Sequence, residues 1–284
     1  MKVGLLFPQT EIGPDPAGLR DFARAAVDNG FDHLVSYEHV LGAVPERLPA
    51  NYAPFGLEDA FHEVLTLYAF LAGVAPELDL ATGVLVLPQR QTPLVAKQAA
   101  QLSLLTGGRF RMGVGLGWNF AEFEGMGVDF ASRARRMEEQ IGLLRQLWTE
   151  SVVDFQGQFD QIRGCGLRPL PTGPIPVWIG GSAEPALRRV ARLGDGWFPL
   201  RPLEEGWPYT LERMKEWREQ AGRPWESFGM EARVNWKPGW REEMEQWQER
   251  GASHVYISTM GGGLEGPAAH IEAIGKIGRA LTEA

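Results

Sequence analysis

The chain has 284 residues, 44% of them hydrophobic and 23% charged, and a formal net charge of −8. That length accommodates one α/β barrel or two smaller domains; acids and bases are interspersed without the basic block that a nucleic-acid partner calls for. The lone cysteine, Cys165, excludes an internal disulfide and fits a reducing cytosol. The N-terminal run Met1 to Pro8 is too short for a signal peptide, and no window approaches the ~18 uninterrupted apolar residues of a membrane span, so a cytoplasmic location is expected.

The element pattern is regular. Val3 to Phe7 reads as a first strand stopped by Pro8. Asp15 or Pro16 opens a helix whose Leu19, Phe22, Ala23, Ala26 and Val27 share one face, with Gly30 as its C-terminal cap. His33 to Tyr37 is the second strand, completing a βαβ unit. Residues 38–57 form a long Pro- and Gly-rich loop, a length that usually signals function, and Tyr52 and Phe55 suggest a partly apolar pocket beneath it. A helix from Glu58 to Ala72 follows. Ala81 to Pro88 is a short, continuously apolar run, typical of a strand buried on both faces of a parallel sheet.

Thr92 is read as the cap of the next helix, with Pro93 at its first position. Phe110 to Gly115 is strand four, followed by a loop from Leu116 to Phe130. A long amphipathic helix carries Met137, Ile141, Leu144, Leu147 and Trp148. Residues 151–174 break the alternation, and the two β-rich pieces around Gln156-Gly157 predict an inserted hairpin. Ile175 to Ile179 is strand five, with a helix from Ser182, as its cap, to Leu193. Gly196 to Pro199 is strand six and the region 203–221 is helical. Phe228 to Val234, a helix over 240–250, His254 to Ser258 and a last helix carrying Ile271, Ile274, Ile277 and Leu281 complete eight strand–helix pairs. The prediction is an α/β fold: a single (β/α)8 TIM barrel over residues 1–284, with its site at the C-terminal ends of the strands.

Four stretches are candidates to carry chemistry. Glu38-His39 follows strand two and faces the barrel mouth, where a carboxylate beside an imidazole supplies an acceptor and a group that titrates near neutral pH; the alternative is a solvated loop pair. Gly180-Gly181-Ser182 ends strand five and opens a helix, an arrangement that presents backbone N–H groups to an anion; the alternative is a plain strand–helix turn. Gly261-Gly262-Gly263 is a weaker candidate of the same kind. Gly113-Val114-Gly115-Leu116-Gly117-Trp118-Asn119 alternates glycine in a way that lets a flat ligand lie against backbone, or is an ordinary strand-end turn. The five histidines show no i, i+4 pair and there is no cysteine cluster, so no metal is expected. No G-x-S-x-G elbow is present. An organic cofactor would therefore supply the chemistry.

These stretches, with Phe31 to His39, Ala81 to Pro88, Gly107 to Asn119, Pro176 to Ser182 and Ala191 to Pro199, resemble in order and spacing the luciferase-like monooxygenase superfamily, and within it the coenzyme F420-dependent oxidoreductases. The resemblance covers about residues 1–200; the last third matches only as generic barrel. It implies a flavin-type ring at the mouth and a non-proline cis peptide on strand three at Gly83-Val84. It further implies cofactor contacts from Glu38, Gly83, Val84, Asn119, Gly180, Gly181 and Ser182, and His39 at the substrate. Many deazaflavin members carry Asp-His where Glu38-His39 stands, and some sugar dehydrogenases carry Glu where Trp118 stands. The expected activity is hydride transfer between F420 and a small organic substrate. The alternatives are an FMN-dependent monooxygenase using reduced flavin and O2, and a flavin-binding protein without catalysis. A homodimer is implied by the resemblance only.

Overall fold

Short apolar strands alternate with amphipathic helices along the whole chain, and in the computed structural model, which describes residues 1–51, 54–199 and 207–283, they close into a barrel. The strands are β1 (Lys2–Leu6), β2 (His33–Ser36), β3 (Asp79–Thr82), β4 (Leu85–Val86), β5 (Phe110–Gly115), β8 (Val177–Gly180), β9 (Gly196–Phe198), β10 (Gly229–Asn235) and β11 (His254–Ser258), with the antiparallel hairpin β6 (Val153–Gln156) and β7 (Gln161–Cys165) inserted between β5 and β8. The helices are α1 (Pro16–Asp28), α2 (Val64–Val74), α3 (Thr92–Leu105), α4 (Phe120–Gly125), α5 (Arg133–Thr149), α6 (Glu184–Leu193), α7 (Trp207–Gln220), α8 (Trp240–Glu249) and α9 (Gly266–Thr282). All barrel pairings are parallel, and β3 pairing with β5 closes the ring.

β3 and β4 are two halves of one barrel strand. Leu80 pairs with Phe110 and Ala81 with Arg111, but Leu85 then pairs with Val114, so the strand carries one extra residue, a bulge. The expected single run over 81–88 is therefore broken at Gly83-Val84 and ends in a 3-10 turn over Leu87–Gln89.

Side-chain alternation divides the strands into two faces. The outward residues join the helices in the large core, including Leu5, Leu34, Leu80, Met112, Val114, Ile179, Ala232, Val234 and Ile257. The inward residues Leu6, Val35, Ala81, Trp178, Phe198 and Tyr256 form a second, smaller apolar layer across the lumen. Helix α1 shows how local sequence sets an element: Asp15 caps it through Ala17 N at 3.1 Å, Pro16 starts it, and Gly30 leaves it at φ 78°.

Several boundaries differ from the sequence reading. Helix α2 begins at Val64, because Glu63 is its cap and accepts from Thr66 N at 2.7 Å; Glu58 to Phe61 stay irregular. Thr92 lies inside α3 and spends its hydroxyl on Asp160 of the hairpin, 2.7 Å away; Gln91 is the flanking residue and makes no side-chain cap. Ser182 is likewise outside the cap position of α6, which Ala183 fills without a side-chain bond. The segment Leu116 to Phe130 holds the short helix α4. The predicted start of helix α7 at 203 lies outside the described residues, as does Tyr52. Among the described residues no helix is long and apolar enough to cross a membrane.

Candidate active site

At the end of β2 the chain leaves the barrel through Tyr37, Glu38 and His39. Glu38 is buried, and its carboxylate accepts from Val86 N at 2.6 Å and from the Arg90 guanidinium. Arg90 also binds Glu63 at 2.8 Å. Burial raises the Glu38 carboxyl above its ordinary value of 4.5, against the opposing pull of Arg90 and the Val86 N–H. The side chain thus clamps the exit of β2 to β4 and to the cap of α2, and its acceptor oxygens are spent on protein groups.

His39 sits in an aromatic cage, with ring centroids of Phe61, Trp118 and Phe55 at 5.1, 5.4 and 5.7 Å. Its Nδ1 lies 3.1 Å from Glu122 Oε2. Glu122 also accepts from Val40 N at 2.5 Å and Leu41 N at 3.2 Å. Burial pushes the Glu122 carboxyl upward, but the bonds from His39, Gln89 and Val40 outweigh it and hold the carboxyl below its usual range. An ionised carboxylate only accepts, so the proton of a neutral His39 resides on Nδ1 and Nε2 is left as the basic nitrogen. No described residue bonds Nε2. Asn119 caps α4, its Oδ1 accepting from Glu122 N at 3.4 Å, and so places Glu122 under His39. Sequence reasoning missed Glu122. Its signal was present: an Asn three residues before a Glu at a helix start, a relative of the capping box, in a stretch read as loop.

The bond Gly83-Val84 is cis, at the position the resemblance implied. Both residues are half-buried at the mouth. Glycine at 83 is a packing requirement, since a Cβ would lie 2.3 Å from Val35 Cγ1. The glycines of β5 have a role other than the one expected. A Cβ at Gly113 would lie 1.9 Å from Thr82 O, and one at Gly115 would lie 2.4 Å from Val84 Cγ2. Those faces are filled by the bulge itself rather than left open for a flat ligand.

The turn Gly180-Gly181-Ser182 sits where β8 meets α6. Gly181 has φ 140°, donates its N–H to Phe198 O at 3.3 Å and accepts from Trp197 Nε1 at 2.7 Å. Trp197 is buried on the helix side of the barrel. Glu184 turns away to Arg188 at 2.7 Å. The first turn of α6 lacks a side-chain cap, but Pro185 carries no N–H and the Ala186 N–H goes to Ala183 O at 2.8 Å, so what this turn offers an anion is chiefly the positive potential of the helix start. Gly261-Gly262-Gly263 follows β11, where Glu11 Oε1 takes the Gly261 N–H at 2.8 Å.

At the other end of the lumen a charged layer closes the barrel. Glu231 binds His33 Nε2 at 2.5 Å and Arg111, and Arg111 stacks 4.3 Å above the Trp178 ring. Burial and the nearby Arg111 push His254 down to about 3. His33 and His254 occupy this lower end, as their strand positions predict. A cavity of about 1180 Å³, lined by residues such as Lys2, Arg111, Trp178 and His254, opens on this N-terminal face. A groove of about 350 Å³ runs between the loop Leu41–Arg47 and α4. Among the described residues no group of three or more His, Cys, Asp or Glu side chains is arranged to hold a metal ion.

The mouth of a closed parallel barrel thus brings together a bulged third strand and a His–Glu pair. Residues 1–277 match the luciferase-like monooxygenase family, and the chain belongs to that family. An uncharacterised protein of Mycobacterium tuberculosis (strain ATCC 25618 / H37Rv) is 40% identical over 206 residues, 71% of each chain. An F420-dependent glucose-6-phosphate dehydrogenase of Gordonia bronchialis is 29% identical over 79% of this chain and 66% of its own. A pyrimidine monooxygenase of Allorhizobium ampelinum is 36% identical over 52% of this chain and 40% of its own. In fold, the chain is similar to a monooxygenase from Streptomyces bottropensis (TM-score 0.76, 18% identity, 100% and 99% of the two chains) and to an F420-dependent secondary alcohol dehydrogenase (TM-score 0.75, 15% identity, 90% and 92%). The protein is an oxidoreductase of this family.

Proposed function

We propose that the protein is an F420-dependent oxidoreductase that moves hydride between the deazaflavin and a small organic substrate at the barrel mouth. The observation that carries this reading is the His39–Glu122 pair. Oxidising an alcohol requires a base for the hydroxyl proton, and reducing a carbonyl requires an acid to return it. An imidazole whose Nδ1–H is fixed by a buried carboxylate presents Nε2 for either task. Activation of O2 on a reduced flavin also takes up protons, so the pair serves either cofactor; what favours hydride transfer over the FMN-dependent monooxygenase reading is that similarity to an F420-dependent dehydrogenase extends over 79% of this chain, against 52% for the pyrimidine monooxygenase. A binding protein without catalysis would not need the pair at all.

The residues at the mouth fit a flat ring. Gly83 and Val84 form a half-buried shelf above the apolar layer of Val35, Ala81 and Phe198. Gly180, Gly181 and Ser182, with the uncapped start of α6, would hold the anionic tail. Asn119 acts by capping α4 and Glu38 by clamping the shelf, each one step removed from the cofactor. When bound, F420 supplies a two-electron hydride centre. His39 holds or receives the proton at Nε2, Glu122 fixes the neutral ring in its Nδ1–H tautomer, and Phe55, Phe61 and Trp118 exclude water around it.

Two substitutions test the assignment when F420 absorbance is followed with a panel of small alcohols and carbonyl compounds. His39→Ala should retain cofactor binding and lose turnover. Ser182→Asp, which sets a negative charge at the half-buried start of α6, should lose cofactor binding while circular dichroism stays native. Unchanged binding and turnover in both would remove the site assignment.

A further inference from the structure

We propose that Arg233 anchors an anionic group of the substrate, so that the substrate class is small organic acids or phosphate esters; this rests on the barrel mouth being the substrate site. Glu231 faces the lumen, since it bonds His33 and Arg111 across the barrel. Arg233 is two residues further along β10 and so faces the same way, while Ala232 and Val234 between and beyond them are packed in the outer core. Arg233 is nonetheless exposed, in the middle of a barrel strand whose neighbours are almost all buried. A lumen residue is exposed only where the lumen opens to solvent.

The charge of Arg233 is uncommitted. Among the described residues no carboxylate lies within ion-pair distance of it, and its one hydrogen bond is to Ser258 Oγ at 3.4 Å, long for a guanidinium donor. The partly or fully buried Arg90, Arg111 and Arg189 behave differently, each holding a carboxylate. Register places Arg233 beside Tyr256 and Asn235 beside Ser258. Tyr256 OH lies 3.5 Å from Tyr37 OH. The guanidinium, the Asn235 amide and two hydroxyl-bearing neighbours form a patch of donors that suits a carboxylate or phosphate.

The patch lies across the lumen from the reacting end. Between β10 and β2 stand β11 and β1, three strand spacings of about 4.8 Å each along the wall. A substrate that spans the two places its alcohol or carbonyl carbon at His39 and its anion several bonds away at Arg233. Fixing both ends is what turns a loosely held small molecule into one aligned for transfer.

The test is isothermal titration of the whole protein with acetate and with inorganic phosphate, in the wild type, Arg233→Met and Arg233→Lys, with F420 affinity measured in parallel. The wild type should bind at least one anion, and the stronger of the two identifies the group. Arg233→Met should weaken that binding about 10-fold or more, the usual size for losing a charged hydrogen-bond partner, with Lys restoring part of it and F420 affinity unchanged. Anion binding that survives Arg233→Met, or absent in the wild type, overturns the proposal. So does a loss confined to F420, which would assign Arg233 to the cofactor. Because the anion titration contains no cofactor, failure to bind F420 at all would count against the proposed function and leave this result to be read separately.

Discussion

Glu122→Gln removes one charge from the heart of the mouth while keeping the shape. In the wild type, Glu122 takes the Val40 and Leu41 N–H groups at 2.5 and 3.2 Å on one oxygen and His39 Nδ1 at 3.1 Å on the other. A glutamine oxygen can still serve the two backbone donors, so its amide must face His39. That amide donates, and His39 responds by moving its proton to Nε2, the wrong nitrogen for a resting base. The charged bond lost is worth about 1.5–3 kcal/mol, which corresponds to a fall in turnover of roughly 10- to 150-fold. Imidazole nitrogen NMR reads the tautomer without any substrate: Nδ1–H in the wild type, Nε2–H in the variant. The pH dependence adds a second check. A carboxyl held below its unfolded value stabilises the fold above that unfolded value, and the stabilisation is lost as pH falls through the lower folded one. The gap in melting temperature between wild type and variant should therefore narrow on acidification. An unchanged tautomer with unchanged turnover would refute the role given to the pair.

Other substitutions probe the frame around it. Arg90→Met strands the buried Glu38 carboxylate and should cost about 3–5 kcal/mol by chemical denaturation; adding Glu38→Gln should recover part of that. Gly113→Ala drives a Cβ to within 1.9 Å of Thr82 O and 2.6 Å of Phe198 Cε2. Backbone cannot give way there, and the variant should lose about 3 kcal/mol or more in the same assay, whereas Gly108→Ala, with nothing within 4 Å, meets only the cost of its positive φ. His254 stays neutral in the fold down to about 3, while the unfolded chain takes a proton near 6.5, so wild-type stability is full above that value and falls by up to about 1.4 kcal/mol per unit below it. His254→Gln should flatten that slope in melting curves recorded between neutral and acid pH.

The barrel was legible because its signals are local and repeated. Phe110 to Gly115 and His254 to Ser258 form strands with the ends the sequence suggested, and Pro16 and Gly30 mark the ends of the first helix region. The misreadings share a cause. Thr92 and Ser182 look like caps, but a hydroxyl bonds whatever folding brings near it, and Asp160 of the distant hairpin claims the one at Thr92. The glycines of β5 looked like space for a ligand, and only the register of β3 and β4 shows that Thr82 and Val84 fill it. Glu122 and Arg233 were overlooked for the same reason. One becomes a partner of His39 across 83 positions of sequence, and the other matters only because the lumen is open beside it.

Whether the mouth accepts a deazaflavin for hydride transfer is tested by titrating the protein with F420 and, separately, with FMN. Trp118, 5.4 Å from His39, is placed to report a ring bound at the mouth through quenching of its fluorescence. Saturable quenching is expected at low F420 concentration, with weak quenching by FMN and loss of the Trp118-dependent part in Trp118→Phe. Tight binding of FMN with weak binding of F420, accompanied by oxygen uptake, would contradict the F420 assignment and place the protein among the oxygen-using members of the family.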